Sequence, residues 1–255
     1  VDDIEEAHSH VNFQSLASDR AAYRLGDQFD QDVLGYLTGF KQSALHGTPD
    51  TVNTTVNGTV AVSTAGSDEL LSSMKIDAAD FGGSAGDALA LQPRTGGATD
   101  STPAVGDTFP LTVIARMSRL LDQQNVDTQG RWLVVDPVFM ELLKDEDSRL
   151  FNADFGGSGL QNGQIGTNIH GFRVYTSNNL PSVGTGPSFT GTNSSTNYGM
   201  IVAGHDSAVA TAEQINKTET YRDPDSFADI VRGMHLYGRK ILRPEALVNA
   251  KYHLA

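Results

Sequence analysis

The sequence predicts an α+β fold: one long helix lies across long antiparallel strands, and a small sheet is flanked by shorter helices. Three observations predict it. Apolar residues between Phe13 and Phe40 recur every three or four positions, the spacing of one helical face. A helix–strand–helix pattern follows Thr108. The stretch Ile230–Arg239 alternates like a long strand, and a turn signal, Asp223-Pro224-Asp225, precedes it.

The first element is the most regular. Its apolar face is Phe13, Leu16, Ala17, Ala21, Leu25, Phe29, Val33, Tyr36, Leu37 and Phe40; Asp19, Arg20, Asp27, Asp30 and Asp32 lie opposite. At about 1.5 Å per residue this helix is roughly 40 Å long, enough to cross a domain, where the usual helix has about three turns. A single stripe of medium-sized apolar residues fits a strut lying on a sheet rather than a buried central helix. Gly26 and Gly35 each weaken it by up to about 1 kcal/mol relative to alanine.

Composition narrows the function. The chain has 255 residues, 38% apolar and 19% charged, enough for one large domain or two intertwined ones. No apolar run approaches the ~20 residues of a membrane span. The opening Val1-Asp2-Asp3-Ile4-Glu5-Glu6 lacks an initiating Met, so a preceding segment is expected. With no cysteine, disulfides, thiolate nucleophiles and cysteine-held metals are excluded. A net charge of −13 repels phosphate and argues against a dedicated nucleic-acid binder. Asn-x-Ser/Thr triplets at Asn53, Asn57, Asn193 and Asn216 read as products of a Thr/Ser/Asn-rich composition.

The remaining elements follow in order. Residues 47–106 are rich in Thr, Ser, Gly, Ala, Asp and Asn and read as a surface excursion with some structure of its own: a strand near Val60–Val62, a short helix over Ser67–Met74, and loops at Gly82–Gly86 and Pro93–Gly97. Thr108-Phe109-Pro110 starts a helix with Pro in its first turn, faced by Ile114, Met117, Leu120 and Leu121 as far as Gln124. Asn125–Gly130 is a turn and Arg131–Val135 a buried strand. Asp136-Pro137 is an N-cap followed by Pro at the first helical position, and Val138, Phe139, Leu142 and Leu143 face the core. Asp147–Gly163 is a Gly-rich loop. Gln164–Tyr175 makes two strands about a His170-Gly171 turn, Ser177–Tyr198 is a polar loop and Met200–Ala203 a buried strand. Ser207–Ala212 fits a short helix or a strand equally. Arg243-Pro244-Glu245 ends the long strand, and Ala246–Tyr252 forms a last one.

Each stretch with a chemical look has a plainer reading. His8 and His10 share a strand face but lack a third ligand. Asn125–Gly130 has oxygen donors at alternate positions like a calcium loop, but Asp136 stands where Glu is needed and a strand stands where a helix is needed. Gly156–Gly163 lacks the Gly-Lys-Ser/Thr ending of a phosphate loop. His205-Asp206-Ser207 holds three triad residue types, but adjacent residues cannot converge as a triad does, so the motif reads as a loop with a cap. His46, His170, His235 and His253 stand alone and read as turn or packing residues, and Asp145, Glu146 and Asp147 as a solvated helix end. Arg222, Arg232, Arg239, Lys240 and Arg243 gather basic charge near the C-terminus; they fit solvated strand faces or pairing with acidic neighbouring subunits. No catalytic residue, cofactor or metal is predicted, and the chain is not expected to be an enzyme.

The order of elements, with Arg131-Trp132-Leu133-Val134-Val135-Asp136-Pro137, Ile169–Pro181 and Tyr237–Val248, resembles the major capsid proteins of tailed double-stranded DNA bacteriophages, the HK97-like fold, and in particular coat proteins of podovirus type. The resemblance covers Asn12–Phe40 and Thr108–Tyr252; residues 41–107 match nothing in it. It implies that residues 1–11 end an N-terminal arm or extended loop and that 12–40 form the spine helix of a peripheral domain. An axial domain over 41–216 would include the excursion 41–107. Residues 217–245 would supply the long strands of the peripheral domain, and 246–255 would return to the axial domain. The implied function is a structural protein that self-assembles as hexamers and pentamers into an icosahedral capsid in the virion. It would be assembled in the host cytoplasm, with cement and scaffolding proteins as companions and double-stranded DNA enclosed without sequence-specific binding; no membrane is involved. Arg222, Asp223, Pro224, Asp225, Arg232 and Arg239 are the expected inter-subunit contacts. The alternatives are an encapsulin-type compartment shell, a carbohydrate-binding decoration or adhesin module drawn from the Thr/Ser/Gly-rich loops, and a hydrolase using loop carboxylates and histidines.

Overall fold

The computed structural model of the chain describes residues 13–38, 70–92, 107–144, 168–183, 186–187, 197–223 and 229–254. The expectations at His8 and His10, His46, Val60–Val62, Asp145–Asp147, Gly156–Gly163, Pro224 and Asp225 lie outside these residues.

Helix α1 (Phe13–Leu37) runs unbroken through Gly26 and Gly35. Thr38 follows in a turn and folds its hydroxyl back onto the carbonyls of Leu34 and Gly35, both at 3.1 Å. Burial rises along the helix. Leu16 and Tyr23 are 48% and 73% exposed, whereas Gln31, Leu37 and Thr38 are buried. The C-terminal half is therefore anchored in the molecule and the N-terminal half projects from it.

The anchor is a sheet of nine strands among the described residues. These are β1 (Lys75–Ile76), β2 (Leu89–Leu91), β3 (Asp107–Thr108), β4 (Arg131–Val135), β5 (Asn168–Ile169), β6 (Phe172–Thr176), β7 (Ser182–Val183), β8 (Tyr198–His205) and β11 (Leu247–Leu254). Their order is β3-β2-β11-β8-β4-β6-β5, with β1 also on β11 and β7 also on β8. β4 lies between β6 and β8. β5 and β6 are joined by His170 and Gly171, at φ 49° and 85°, the two left-handed residues that a tight two-residue hairpin turn requires. Strands β1 and β2, inside the excursion, and β3 at its end extend the sheet beyond β11 and were not anticipated; of the expected helix over Ser67–Met74, the described residues 70–74 hold one 3-10 turn, Ser72–Met74.

Helices α2 (Pro110–Gln123) and α3 (Pro137–Leu143) close the core. Val113, Ile114, Met117 and Leu121 of α2 and Phe139 and Leu143 of α3 are buried with Leu133, Ile201, Val248 and Tyr252 of the sheet. Each such side chain contributes roughly 1.5–3 kcal/mol by leaving water. Arg131 holds the α2–β4 turn: its buried guanidinium donates to the Val126 carbonyl at 2.6 Å, the Asp127 carbonyl at 2.8 Å and the Asp122 carboxylate at 2.7 Å. Asp127 accepts from Gln129 N–H at 3.0 Å, so the calcium-like stretch is a turn capped by its own side chain.

β11 is buried along its whole length. One row, Val248, Ala250, Tyr252 and Leu254, includes the ring that meets Phe139. The other row holds Asn249, Lys251 and His253. Asn249 donates to the Thr38 carbonyl at 2.9 Å, tying the end of α1 to the sheet, and Lys251 donates to the Gly86 carbonyl while lying 5.6 Å over the Tyr198 ring. Burial pushes the Lys251 ammonium below its ordinary range, partly offset by Asp77 and Asp87.

Asp136 caps α3 as predicted, accepting from Phe139 N–H at 3.0 Å, and also accepts from the Tyr252 hydroxyl. Burial pushes its pKa up, while these hydrogen bonds pull it back. A folded value above the unfolded one means that ionising Asp136 costs the native state. The cost is absent below the unfolded pKa of about 3.9 and grows as pH rises through the folded value. Asp136→Asn keeps an acceptor and removes the charge. Its stability relative to the parent, measured by urea unfolding, is expected to improve between about pH 3 and pH 7; a difference independent of pH contradicts this.

Candidate assembly surfaces

The second body is a two-stranded ribbon, β9 (Val209–Arg222) and β10 (Asp229–Ile241). The sequence left Ser207–Ala212 open between helix and strand; the chain turns at 206–207 and β9 then starts at Val209, ahead of the expected Lys217. Alternation gives the ribbon two faces. Gly233, His235, Tyr237 and Arg239 look toward α1. Phe29 packs on His235 at 5.3 Å and meets Tyr237 edge-on at 4.8 Å between centroids. Tyr237 donates to Asp32 at 2.8 Å, and Arg239 pairs with Asp32 and lies 4.9 Å over Tyr36. A Cβ on Gly233 would stand 2.6 Å from Leu25 Cδ1, so helix and ribbon meet closely there. An irregularity at Leu236/Tyr237 skips Gln214 and pairs Tyr237 with Glu213. The extra residue brings Glu213 to 3.2 Å from His235 Nε2, an approach without hydrogen-bond geometry. The long helix is thus a strut on a ribbon, as its single apolar stripe predicts.

The opposite face carries Tyr221, Ile230, Met234 and Leu236, with Met234 and Leu236 55% and 48% exposed. Between them Arg232 pairs with Glu219 at 2.9 Å, stacks 5.1 Å over Tyr221, and shares Glu219 with Lys217. These cations hold the Glu219 carboxyl below its ordinary range, Lys217 first and Arg232 second. Of the sequence-predicted contact residues, Arg222 faces Asp229 at 3.9 Å where the hairpin loop begins, and Asp223 follows it. Arg232 stands on the outer face. Arg239 does not join them, because the strand's alternation turns it inward onto Asp32. Ile230, Met234 and Leu236, exposed on the same face, were not among the residues singled out from the sequence. A signal was there: both alternating rows of β10 carry apolar residues, Ile230, Met234 and Leu236 on one and Val231, Tyr237 and Ile241 on the other.

Two further polar groups fix the helix to the sheet side. Asn179, after β6, donates to Asp27 of α1 at 2.8 Å, and Gln31 donates to both. Beside this clasp an open cleft of about 730 Å³ separates the exposed turns of α1 around Tyr23 from residues 176–179. At the base of the ribbon, His205-Asp206-Ser207 is no triad. Asp206 turns away to Arg173 at 3.1 Å, and His205 bridges Gln129 and Ser207.

A family profile described as phage capsid protein matches residues 11–250. The chain belongs to the phage capsid protein family. Solved capsid structures agree with this assignment. A chain of Mycobacterium phage Che8 is 25% identical with a TM-score of 0.50, over 98% of this capsid protein and 66% of that chain. A chain of the cyanophage P-SCSP1u capsid superimposes with a TM-score of 0.62 at 19% identity, covering 100% of this chain and 70% of its own. One from the mature capsid of bacteriophage PhiM1 gives 0.58 at 16% identity, over 99% and 68%. The capsid protein therefore has the HK97-like fold expected from its sequence, and the described chain spans about two thirds of the length of these relatives. No curated protein matches it. Among the described residues no helix is long and apolar enough to cross a membrane.

Proposed function

We propose that this capsid protein builds the icosahedral shell of a tailed bacteriophage, with copies arranged as hexamers and pentamers around packaged double-stranded DNA. The observation that carries this reading is the ribbon. It has an apolar outer face, it is braced from behind by α1, and it stands off the sheet that holds the core. A single soluble molecule gains nothing from exposing Tyr221, Ile230, Met234 and Leu236 together, whereas a shell subunit buries such a row against a neighbour. In this reading α1 and the ribbon form the peripheral domain and the nine-stranded sheet forms the axial domain. The segment Arg222-Asp223-Pro224-Asp225 meets the next capsomer, Arg232 contacts a neighbour through the outer face, and Arg239 stiffens the ribbon behind it. Each contact is weak, and several per subunit sum to a stable shell.

Scaffolding and cement proteins are the companions of this assembly, which takes place in the host cytoplasm. The net charge of −13 limits adhesion to the enclosed DNA. The work is mechanical, and no catalytic step is assigned. Electron microscopy of the full-length protein purified under native conditions tests the proposal. Closed particles are expected; a protein that stays monomeric at every concentration and with its companions supplied overturns it.

A further inference from the structure

We propose that His205 and Arg243 are positioning residues that fix the angle at which the ribbon leaves the sheet; their role in assembly rests on the shell reading above. Among the described residues two strands run from one body into the other, β8 into β9 and β10 into β11, and α1 lies against both bodies. Between them the backbone hydrogen bonds converge on one residue. Leu242 N–H and Arg243 N–H both donate to the Ala208 carbonyl, at 2.8 and 3.2 Å, and Ala208 N–H donates to His205. A single carbonyl receiving both bonds is a pivot. β10 has 13 residues, so at ~3.3 Å per residue its lever is about 40 Å long, and ten degrees at the pivot moves the tip by about 7 Å. That displacement exceeds any hydrogen-bond tolerance, so a ribbon that contacts a neighbour needs its base held.

Side chains hold it from both sides of the pivot. Ser207 N–H donates to His205 Nδ1 at 3.1 Å, which makes Nδ1 the acceptor and places the ring proton on Nε2. Nε2 then donates to the Gln129 carbonyl at 2.8 Å, in the turn before β4. Ser207 Oγ, 2.8 Å from Nδ1, also accepts from Arg243 Nη1 at 3.3 Å, and Arg243 Nε donates to Glu245 at 2.9 Å. The chain of contacts runs from the sheet, through the base of β9, to the strand leaving β10. Its members are exposed, so they add little to stability. What they do is span the joint where the two strands leave the sheet, a support additional to α1, whose Tyr36 hydroxyl accepts from Ile241 N–H at 3.4 Å.

The chain has no cysteine, so cysteines introduced at exposed Met234 on the ribbon and exposed Tyr175 on the sheet carry the only spin labels. Pulsed EPR distances and melting temperature are measured on the unassembled full-length protein. Arg243→Ala is expected to widen and shift the Met234–Tyr175 distance distribution with the melting temperature changed by less than about 2 °C. Arg243→Lys, whose single ammonium cannot reach both Ser207 and Glu245, should fall between. His205→Gln should widen the distribution as well, because one amide cannot bridge Gln129 and Ser207 together. A distribution that superimposes on the parent overturns the proposal, whether or not the melting temperature falls. Distances are read before assembly, so they decide the positioning role whether or not shells form, and the shell reading is decided separately on the unaltered protein.

Discussion

Tyr252→Ala is expected to destabilise the chain by about 3–5 kcal/mol, the range for removing a fully buried aromatic side chain. At roughly 2–4 °C per kcal/mol for a chain of this size, the melting temperature should fall by about 6–20 °C. Tyr252 is completely buried in the longest fully buried strand. Its ring meets Phe139 edge-on at 5.3 Å, and its hydroxyl donates to the Asp136 cap of α3. Gly199 across the sheet leaves room for that ring; a Cβ there would stand 3.0 Å from Tyr252 Cε1. Burial, and then the Asp136 charge, push the phenol pKa far up, so it stays a donor at every accessible pH. Tyr252→Phe separates the two contributions. It keeps the ring and should cost about 1.5–3 kcal/mol, the value of one hydrogen bond to a charged group. Thermal unfolding of the unassembled variants measures both. A loss under about 1 kcal/mol for Tyr252→Ala would contradict the placement of β11 at the centre of the core.

The double change Met234→Asp with Leu236→Asp is expected to abolish assembly and leave the fold intact. Both side chains point away from α1 and are half exposed, so in the isolated chain the change should stay within about 0.5 kcal/mol. In a shell the same positions would be desolvated against another copy. Two carboxylates buried without partners cost several kcal/mol, and a chain already at −13 repels them further. Repetition multiplies the effect, because a subunit that loses one contact loses the multivalent gain of the others. Sedimentation velocity and a thermal melt on the same preparation give the result. Met234→Leu, which keeps the face apolar, should assemble like the parent. Shells formed by the double variant would remove the outer face of the ribbon from the interface.

How much of this was legible depended on periodicity. α1 was readable because its stripe persists for seven turns, and α3 because Asp136-Pro137 pairs a side-chain cap with a residue that needs no N–H. The β5–β6 hairpin was readable from His170-Gly171, which tolerate left-handed backbone. β1 to β3 were not, since two or three residues have no period and Leu89-Ala90-Leu91 is buried on both faces. The start of β9 was ambiguous because Val209-Ala210-Thr211-Ala212 suits either element; pairing with Lys240 and Ile241 decides it. Asn249, Lys251 and His253 form a polar row of β11, yet all three are buried; the Thr38 carbonyl receives Asn249, and the Gly86 carbonyl with the Tyr198 ring receives Lys251, partners that lie far away in sequence. The candidate contact surface was half legible. Basic charge gathered near the C-terminus pointed to the ribbon, but only its packing on α1 separates Arg232, facing out, from Arg239, facing in.

Cryo-electron microscopy of particles assembled from the full-length protein, reconstructed far enough to trace side chains, puts the whole account at risk in one map. Met234, Leu236 and Arg232 should be covered by an adjacent subunit while α1 still lies on the opposite side of the ribbon with Phe29 against Tyr237. A closed shell whose ribbons present that apolar face to solvent, or in which α1 has left the ribbon to pack elsewhere, would contradict it.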